Sequence, residues 1–275
     1  MSEAKPSDAR RALLERLIDH AALFPPASME MPEAIETDRR ARASEHAWML
    51  DRFICPASKL GELPREAPRL SVVLDGGEGD LETVAAAIAD GREVELVEAR
   101  IDPAWIPDTQ ALVAEKLAGV QAFWELSPGR GLRGAVAAVR EAGAGAKIRC
   151  GGAVVPSVEE VAAFVAACRD AGVPFKATAG LHHPIRLGER HGFINLLAAA
   201  VFAHAEGLHE AELAALLGED DAAAFTVDAD GLAMHGLRAG AAAIEAARAE
   251  LFAAYGSCSF DEPVDDLTAL GVLPV

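Results

Sequence analysis

The chain is poor in the residues that usually advertise a partner or a stabilising device. Aromatics make up 5% of its 275 residues, so a core has to be built mainly from Ala, Val and Leu. Four cysteines, Cys55, Cys150, Cys168 and Cys258, show neither a CxxC pair nor a zinc-like spacing, which argues against a disulfide framework or a structural zinc. Cys168 lies in an Ala-rich stretch and reads as a small buried hydrophobe, whereas Cys150, beside Gly151, and Cys258, two residues after Gly256, lie near proposed strand ends. Basic residues are outnumbered, 25 against 43 acidic, and the net charge of −18 is the wrong sign for a nucleic-acid or anionic-membrane surface. No apolar run approaches the roughly 20 residues of a membrane span, and no basic start leads into an apolar run. The expectation is a cytoplasmic protein acting on a small molecule.

Lysine is the scarcest of the charged types: five of the 25 basic residues. Two of the five, Lys147 and Lys176, sit in apolar, glycine-flanked segments, Lys147-Ile148-Arg149-Cys150-Gly151-Gly152 and Phe175-Lys176-Ala177-Thr178-Ala179-Gly180. An ammonium can give up its proton when desolvated and act as base or amine nucleophile, which a guanidinium effectively cannot.

What is abundant is alternation between β-rich runs and Ala-rich amphipathic stretches. Strands are expected at Arg69–Asp75, Glu93–Ile101, Gln121–Ser127, Lys147–Gly151 and Phe175–Ala179, each followed by a helix, with the turn 76–80 after the first. The helix 157–171 opens on Ser157 and Glu160, a capping-box pair. Two earlier strands, Ala21–Phe24 and Arg52–Cys55, and a last one at Gly256–Phe260 bring the count to eight. The expected fold is α/β, a TIM (β/α)8-like barrel, with an open doubly wound sheet as the other arrangement. No linker divides residues 1–275. A helix at Leu208–Leu217 and a hairpin at Ala223–Gly236 are expected as an insertion, 206–236, before the last strand. The apolar helix Gly192–Ala205 suits either the core or a homo-oligomer contact.

Side chains alternate along a strand, so Lys147, Arg149 and Gly151 share one face, and Lys176, Thr178 and Gly180 the matching face of the next strand. Facing inward, the two lysines approach one another near the C-terminal mouth. Asp75, Glu98, Arg100 and Glu125 add charge on neighbouring strands, and Ser257 and Ser259 line the last one. Glu93 and Glu95 are expected on the opposite face. The loop Gly180-Leu181-His182-His183-Pro184 supplies two histidines, of which His182 can reach the mouth; His20 is a further candidate, and His191 a weaker one. Backbone amides at Gly151-Gly152 and Gly256-Ser257 can hold a phosphate or carboxylate.

This set, a lysine on strand six, another on strand seven and Gly256-Ser257-Cys258-Ser259 at strand eight, resembles class I aldolases of the deoxyribose-phosphate aldolase type. The resemblance covers about residues 146–180 and 256–260. It implies a lyase in which Lys147 forms the Schiff base, Lys176 is the cation that depresses its pKa, and Glu98 or Glu125 shuttles protons. Arg149 and the His182-His183-Pro184 loop depart from that family. The chain is also similar to a group of bacterial proteins of unassigned activity that share Ala22-Leu23-Phe24-Pro25-Pro26-Ala27, the Lys147–Gly152 block and the Phe175–Pro184 block. No cofactor is needed for the amine route. A second reading resembles the enolase superfamily: Asp75, Glu98 and Glu125 hold Mg²⁺ and a lysine acts as base, although the N-terminal capping domain of that superfamily is missing. A third is a barrel that binds a small anion without turnover.

Overall fold

The computed structural model describes residues 8–77 and 79–273; Glu78, inside the expected turn 76–80, lies outside them. Eight parallel strands close into a barrel: β1 (Ile18–His20), β2 (Leu50–Pro56), β3 (Leu70–Val73), β4 (Val94–Arg100), β5 (Gln121–Glu125), β6 (Gly145–Arg149), β7 (Phe175–Thr178) and the last strand, β11 (Phe252–Ser257). β1 pairs with β2 on one side and β11 on the other, so the sheet has no edge and the open doubly wound alternative is excluded. Outside it run α1 (Ala9–Leu14), α2 (Met31–Ala43), α3 (Asp80–Ala89), α4 (Ile106–Lys116), α5 (Leu132–Glu141), α6 (Val158–Ala171), α7 (Phe193–Glu206), α8 (Glu210–Gly218), α9 (Ala241–Glu250) and α10 (Asp261–Ala269). No described helix is long and apolar enough to cross a membrane.

Local chemistry accounts for most of these boundaries. The Ser157 side chain accepts from the Glu160 amide and the Glu160 carboxylate from the Ser157 amide, completing the capping box of α6, and Gly172 ends that helix in the left-handed region. α7 is buried along nearly its whole length, placing it in the core between barrel and α8. Phe175 and Phe252 on the outer face of the barrel meet Phe164 of α6 behind β7, and Tyr255 stacks on Phe193 of α7, with ring centroids 5.1 Å apart.

Both terminal strands of the barrel differ from expectation. The first is Ile18–His20; Ala21–Phe24 instead form the turn that leads to a cis Pro25–Pro26 peptide. Asp19 and His20 are both buried, with Lys176 and Arg52 beside Asp19 and Asp38 bonded to Nδ1 of His20. The last strand begins at Phe252 and not at Gly256 as expected, because α9 stops at Glu250. Arg248 caps the junction by donating to the Phe252 and Ala253 carbonyls. Cys258–Phe260 consequently lie beyond the strand. The segment 225–239 forms three antiparallel strands, β8 (Phe225–Val227), β9 (Leu232–Met234) and β10 (Leu237–Ala239), so it carries one strand more than a hairpin. Asp228 closes the first turn, accepting from the Asp230 and Gly231 amides.

Candidate active site

The barrel interior holds charge from its floor to its mouth. At the floor Arg52 lies 2.6 Å from Asp51 and 2.8 Å from Glu95, and Arg69 also joins that pair at 2.9 and 3.2 Å. Glu95 was expected to face solvent or helices; an irregularity in the β3–β4 register turns it into this cluster. Phe123 fills the space above, against Gly145, where any Cβ would come within 2.3 Å of the ring. Lys176 stands over that ring, 5.8 Å from its centroid.

Lys176 is 1% exposed and is held by two carboxylates: Asp19 at 2.5 Å and Glu98. Burial alone would lower its pKa, but Asp19 and Glu98 outweigh that and raise it. Glu98 is the hub. Ser71 donates to its Oε1 at 2.5 Å, Lys176 contacts the same oxygen, and Lys147 Nζ lies 2.9 Å from Oε2. Burial would raise the Glu98 carboxyl, yet the two ammonium groups and the hydrogen bonds from Lys176 and Ser71 hold it well below the usual carboxylate range. Lys147 also meets Glu125 at 3.3 Å, and the other Glu125 oxygen lies 3.4 Å from Arg149 Nε.

Above this network opens a cavity of about 1000 Å³ at the C-terminal ends of the strands, the side on which barrel enzymes carry their active sites. Lys147, Glu98, Glu125, Arg149, Thr178, Gly151, Gly152, His182 and Ser257 all line it. Lys176 does not; it lies a layer beneath, in direct register with Lys147. The expectation of two lysines side by side at the mouth is corrected in that respect. Glu98 lies between the two ammonium groups, so Lys176 does not confront Lys147 as a bare charge.

Other sequence candidates separate. Asp75 follows β3 and binds Ser58 through both oxygens, at 3.0 and 2.6 Å, away from the cavity. The Asp75, Glu98 and Glu125 trio is therefore not assembled, and among the described residues no group of three His, Cys, Asp or Glu side chains is placed to hold a metal ion. Ser259 also leaves the site: its hydroxyl accepts from the Glu262 amide at the start of α10. The adjacent histidines diverge. His182 turns to the cavity, with Glu262 at 3.3 Å and the Cys258 sulfur at 3.9 Å, while His183 bonds Asp266 at 2.8 Å. His20 points outward to Asp38 at 3.1 Å, and His191 is buried against the Pro156 carbonyl at 2.8 Å. Burial lowers the His191 pKa and raises those of Cys150, to about 12, and Cys258, leaving these thiols poor nucleophiles.

Sequence reasoning missed Asp19, Ser71 and Arg190. Asp19 alone carried a signal, an acid inside the apolar run Leu17-Ile18-Asp19-His20-Ala21-Ala22. Arg190 reaches the cavity from a long loop whose course no local pattern records.

Two glycines join the loops that frame the mouth. A Cβ on Gly151 would come within 2.6 Å of the Gly180 Cα, and one on Gly180 within 2.8 Å of the Gly151 Cα. Gly180 and the preceding Ala179 both take positive φ, 72° and 60°.

No protein-family model matches the chain, and neither does any curated protein. Among solved structures, it is similar to "QR15, an Aldolase", at 13% identity and a TM-score of 0.46 over 62% of this chain and 83% of that one. It is also similar to dihydropteroate synthase of Xanthomonas albilineans in complex with indole-2-carboxylic acid and 6-chloroguanine, at 14% identity and a TM-score of 0.44 over 98% of this chain and 100% of that one. The same enzyme with 4-aminobenzoic acid gives a TM-score of 0.43 at 14% identity, over 99% and 100%. At this level of likeness the barrel rests on its own strand pairing, which closes through β1 and β11.

Proposed function

We propose that this chain is an enzyme that forms a Schiff base between Lys147 and a small carbonyl metabolite, in a lyase reaction of the aldolase type. One observation carries the reading: Lys147 is the lysine that lines the cavity, and its Nζ is within 3.3 Å of two carboxylates that can handle its proton. An ammonium has no lone pair, so attack on a carbonyl requires a proton acceptor at hand. Glu98 is a poor one, because two ammonium groups favour its ionised form. Glu125, at the cavity edge and among the described residues ion-paired only with Lys147 and Arg149, takes the part of proton carrier.

The sequence of steps follows. Glu125 accepts the Lys147 proton, Nζ adds to the carbonyl carbon, and the resulting hydroxyl leaves as water when Glu125 returns the proton. Glu125, ionised again, takes the proton of the β-hydroxyl as the bond between the α and β carbons breaks, and the iminium accepts the electron pair of that bond. An aldehyde departs; the enamine takes the proton back from Glu125 at carbon, and water hydrolyses the iminium to free the lysine and a ketone. Lys176 stays charged beneath, anchoring Glu98 and thereby the height of Lys147.

Reductive trapping tests this. The protein is incubated with aldehydes and keto acids, reduced with borohydride, and mapped by peptide mass. A stoichiometric adduct on Lys147 is the expected result. No adduct across the panel, with Lys147 unmodified, sinks the amine mechanism and leaves anion binding without turnover as the better account.

A further inference from the structure

The rim of the cavity carries positive charge that the Schiff-base chemistry does not use. Arg100 from the end of β4, Arg149 from the end of β6 and Arg190 from the loop after β7 all line it. With Lys147 that makes four cations against the two carboxylates Glu98 and Glu125, inside a chain of net charge −18. Arginines at the barrel floor are neutralised; Arg52 and Arg69, for instance, are shared between Asp51 and Glu95. Those at the rim are not. Among the described residues Arg190 has no ion pair, Arg100 only donates to the Ser127 hydroxyl at 3.2 Å, and Arg149 meets Glu125 through Nε alone, leaving both terminal nitrogens open.

We infer that these three arginines recognise the carboxylate of the substrate, and that the substrate is a keto acid. This rests on the reading of Lys147 as the carbonyl-binding amine. A guanidinium presents a planar fork that matches a carboxylate two bonds at a time. The span fits as well. Glu125 bridges the two groups, with one oxygen 3.3 Å from Lys147 Nζ and the other 3.4 Å from Arg149 Nε. Arg149 therefore lies one carboxylate's width from the nucleophile. That suits an acid group attached to the carbonyl carbon or one carbon away, and leaves a distant acid group out of register.

Malonate is the probe, because it carries two carboxylates and no ketone and so cannot form an imine. Its binding is measured by calorimetry on the full chain, with inorganic phosphate as competitor. The variants are Arg149→Gln, Arg190→Gln and Arg100→Gln, all on exposed side chains, and Arg140→Gln on the outer face of α5 serves as control. Saturable binding is expected, weakened roughly tenfold by Arg149→Gln and by Arg190→Gln, less by Arg100→Gln and not by Arg140→Gln, and weakening as salt is raised. The inference is overturned if malonate does not saturate, if the rim variants bind it as wild type does, or if phosphate displaces it at lower concentration than malonate itself requires. Malonate binding without any borohydride adduct would sink the amine mechanism and leave the anion site standing. An adduct on Lys147 without malonate binding would do the reverse.

Discussion

Lys147 and Lys176 are cross-strand partners on β6 and β7, and both reach the carboxylate of Glu98, one through each oxygen. Their environments nevertheless differ. Lys147 opens onto the cavity, whereas Lys176 is sealed beneath it between Asp19 and Glu98. Two lysines that look equivalent in the sequence thus take different places, one at the cavity wall and one sealed beneath it.

Substitution separates the two. Lys147→Arg keeps a cation beside Glu98 and Glu125, so the variant is expected to fold and to give no borohydride adduct. Lys176→Met takes from Asp19 and Glu98 the buried cation they share and is expected to cost about 3–5 kcal/mol. Urea unfolding of both variants checks this; a Lys176→Met protein as stable as wild type would contradict the anchoring role.

The charge network also sets the pH range of stability. The Glu98 carboxyl is depressed in the folded chain. Its contribution is present above the unfolded value, about 4.3, and is lost as pH falls through the lower folded one. Lys176 is raised. Its contribution is complete below the unfolded lysine value, about 10.4, and is lost as pH rises through the higher folded one. Unfolding midpoints across pH should show both edges, and Glu98→Gln should remove the acid one. An unchanged acid limb in that variant would show that other carboxylates set it.

Gly151 and Gly180 meet backbone to backbone, so Gly151→Ala must part the loops that carry Arg149, His182 and Arg190. Gly180→Ala adds a strained left-handed residue costing about 1–2 kcal/mol. Both variants are expected to lose malonate binding more than they lose stability, measured by calorimetry and melting on the same preparations. Intact binding in Gly151→Ala would mean that the loops are free to separate.

The four thiols are buried, and burial raises Cys55 and Cys150 to about 12 and pushes Cys168 and Cys258 up as well. Ellman's reagent at pH 8 should find the native protein nearly silent and all four thiols reactive in denaturant. Rapid labelling of Cys258 in the native state would instead mark it as a nucleophile at the cavity wall.

The barrel was readable from the sequence because its signals are local: period-two strands, Ala-rich helices, and a capping box at Ser157 and Glu160. The lysines, Glu98 and Glu125 were also readable, since a charged residue on an apolar strand is costly unless paired. Strand alternation fixed which of them share a face. Pairing itself was not visible. Asp19 and His20 precede the strand expected at Ala21–Phe24, and only the fold brings Lys176, Arg52 and Asp38 to them, while Asp75 read as a site residue until Ser58 claimed it. Contacts such as Lys176 with Asp19, or Arg190 with the cavity, join residues far apart in the chain, and no periodicity encodes them. Nor could alternation rank Lys147 and Lys176. Depth in the barrel decides that, and depth is set by the stagger between strands, a property of the closed sheet and not of any one segment.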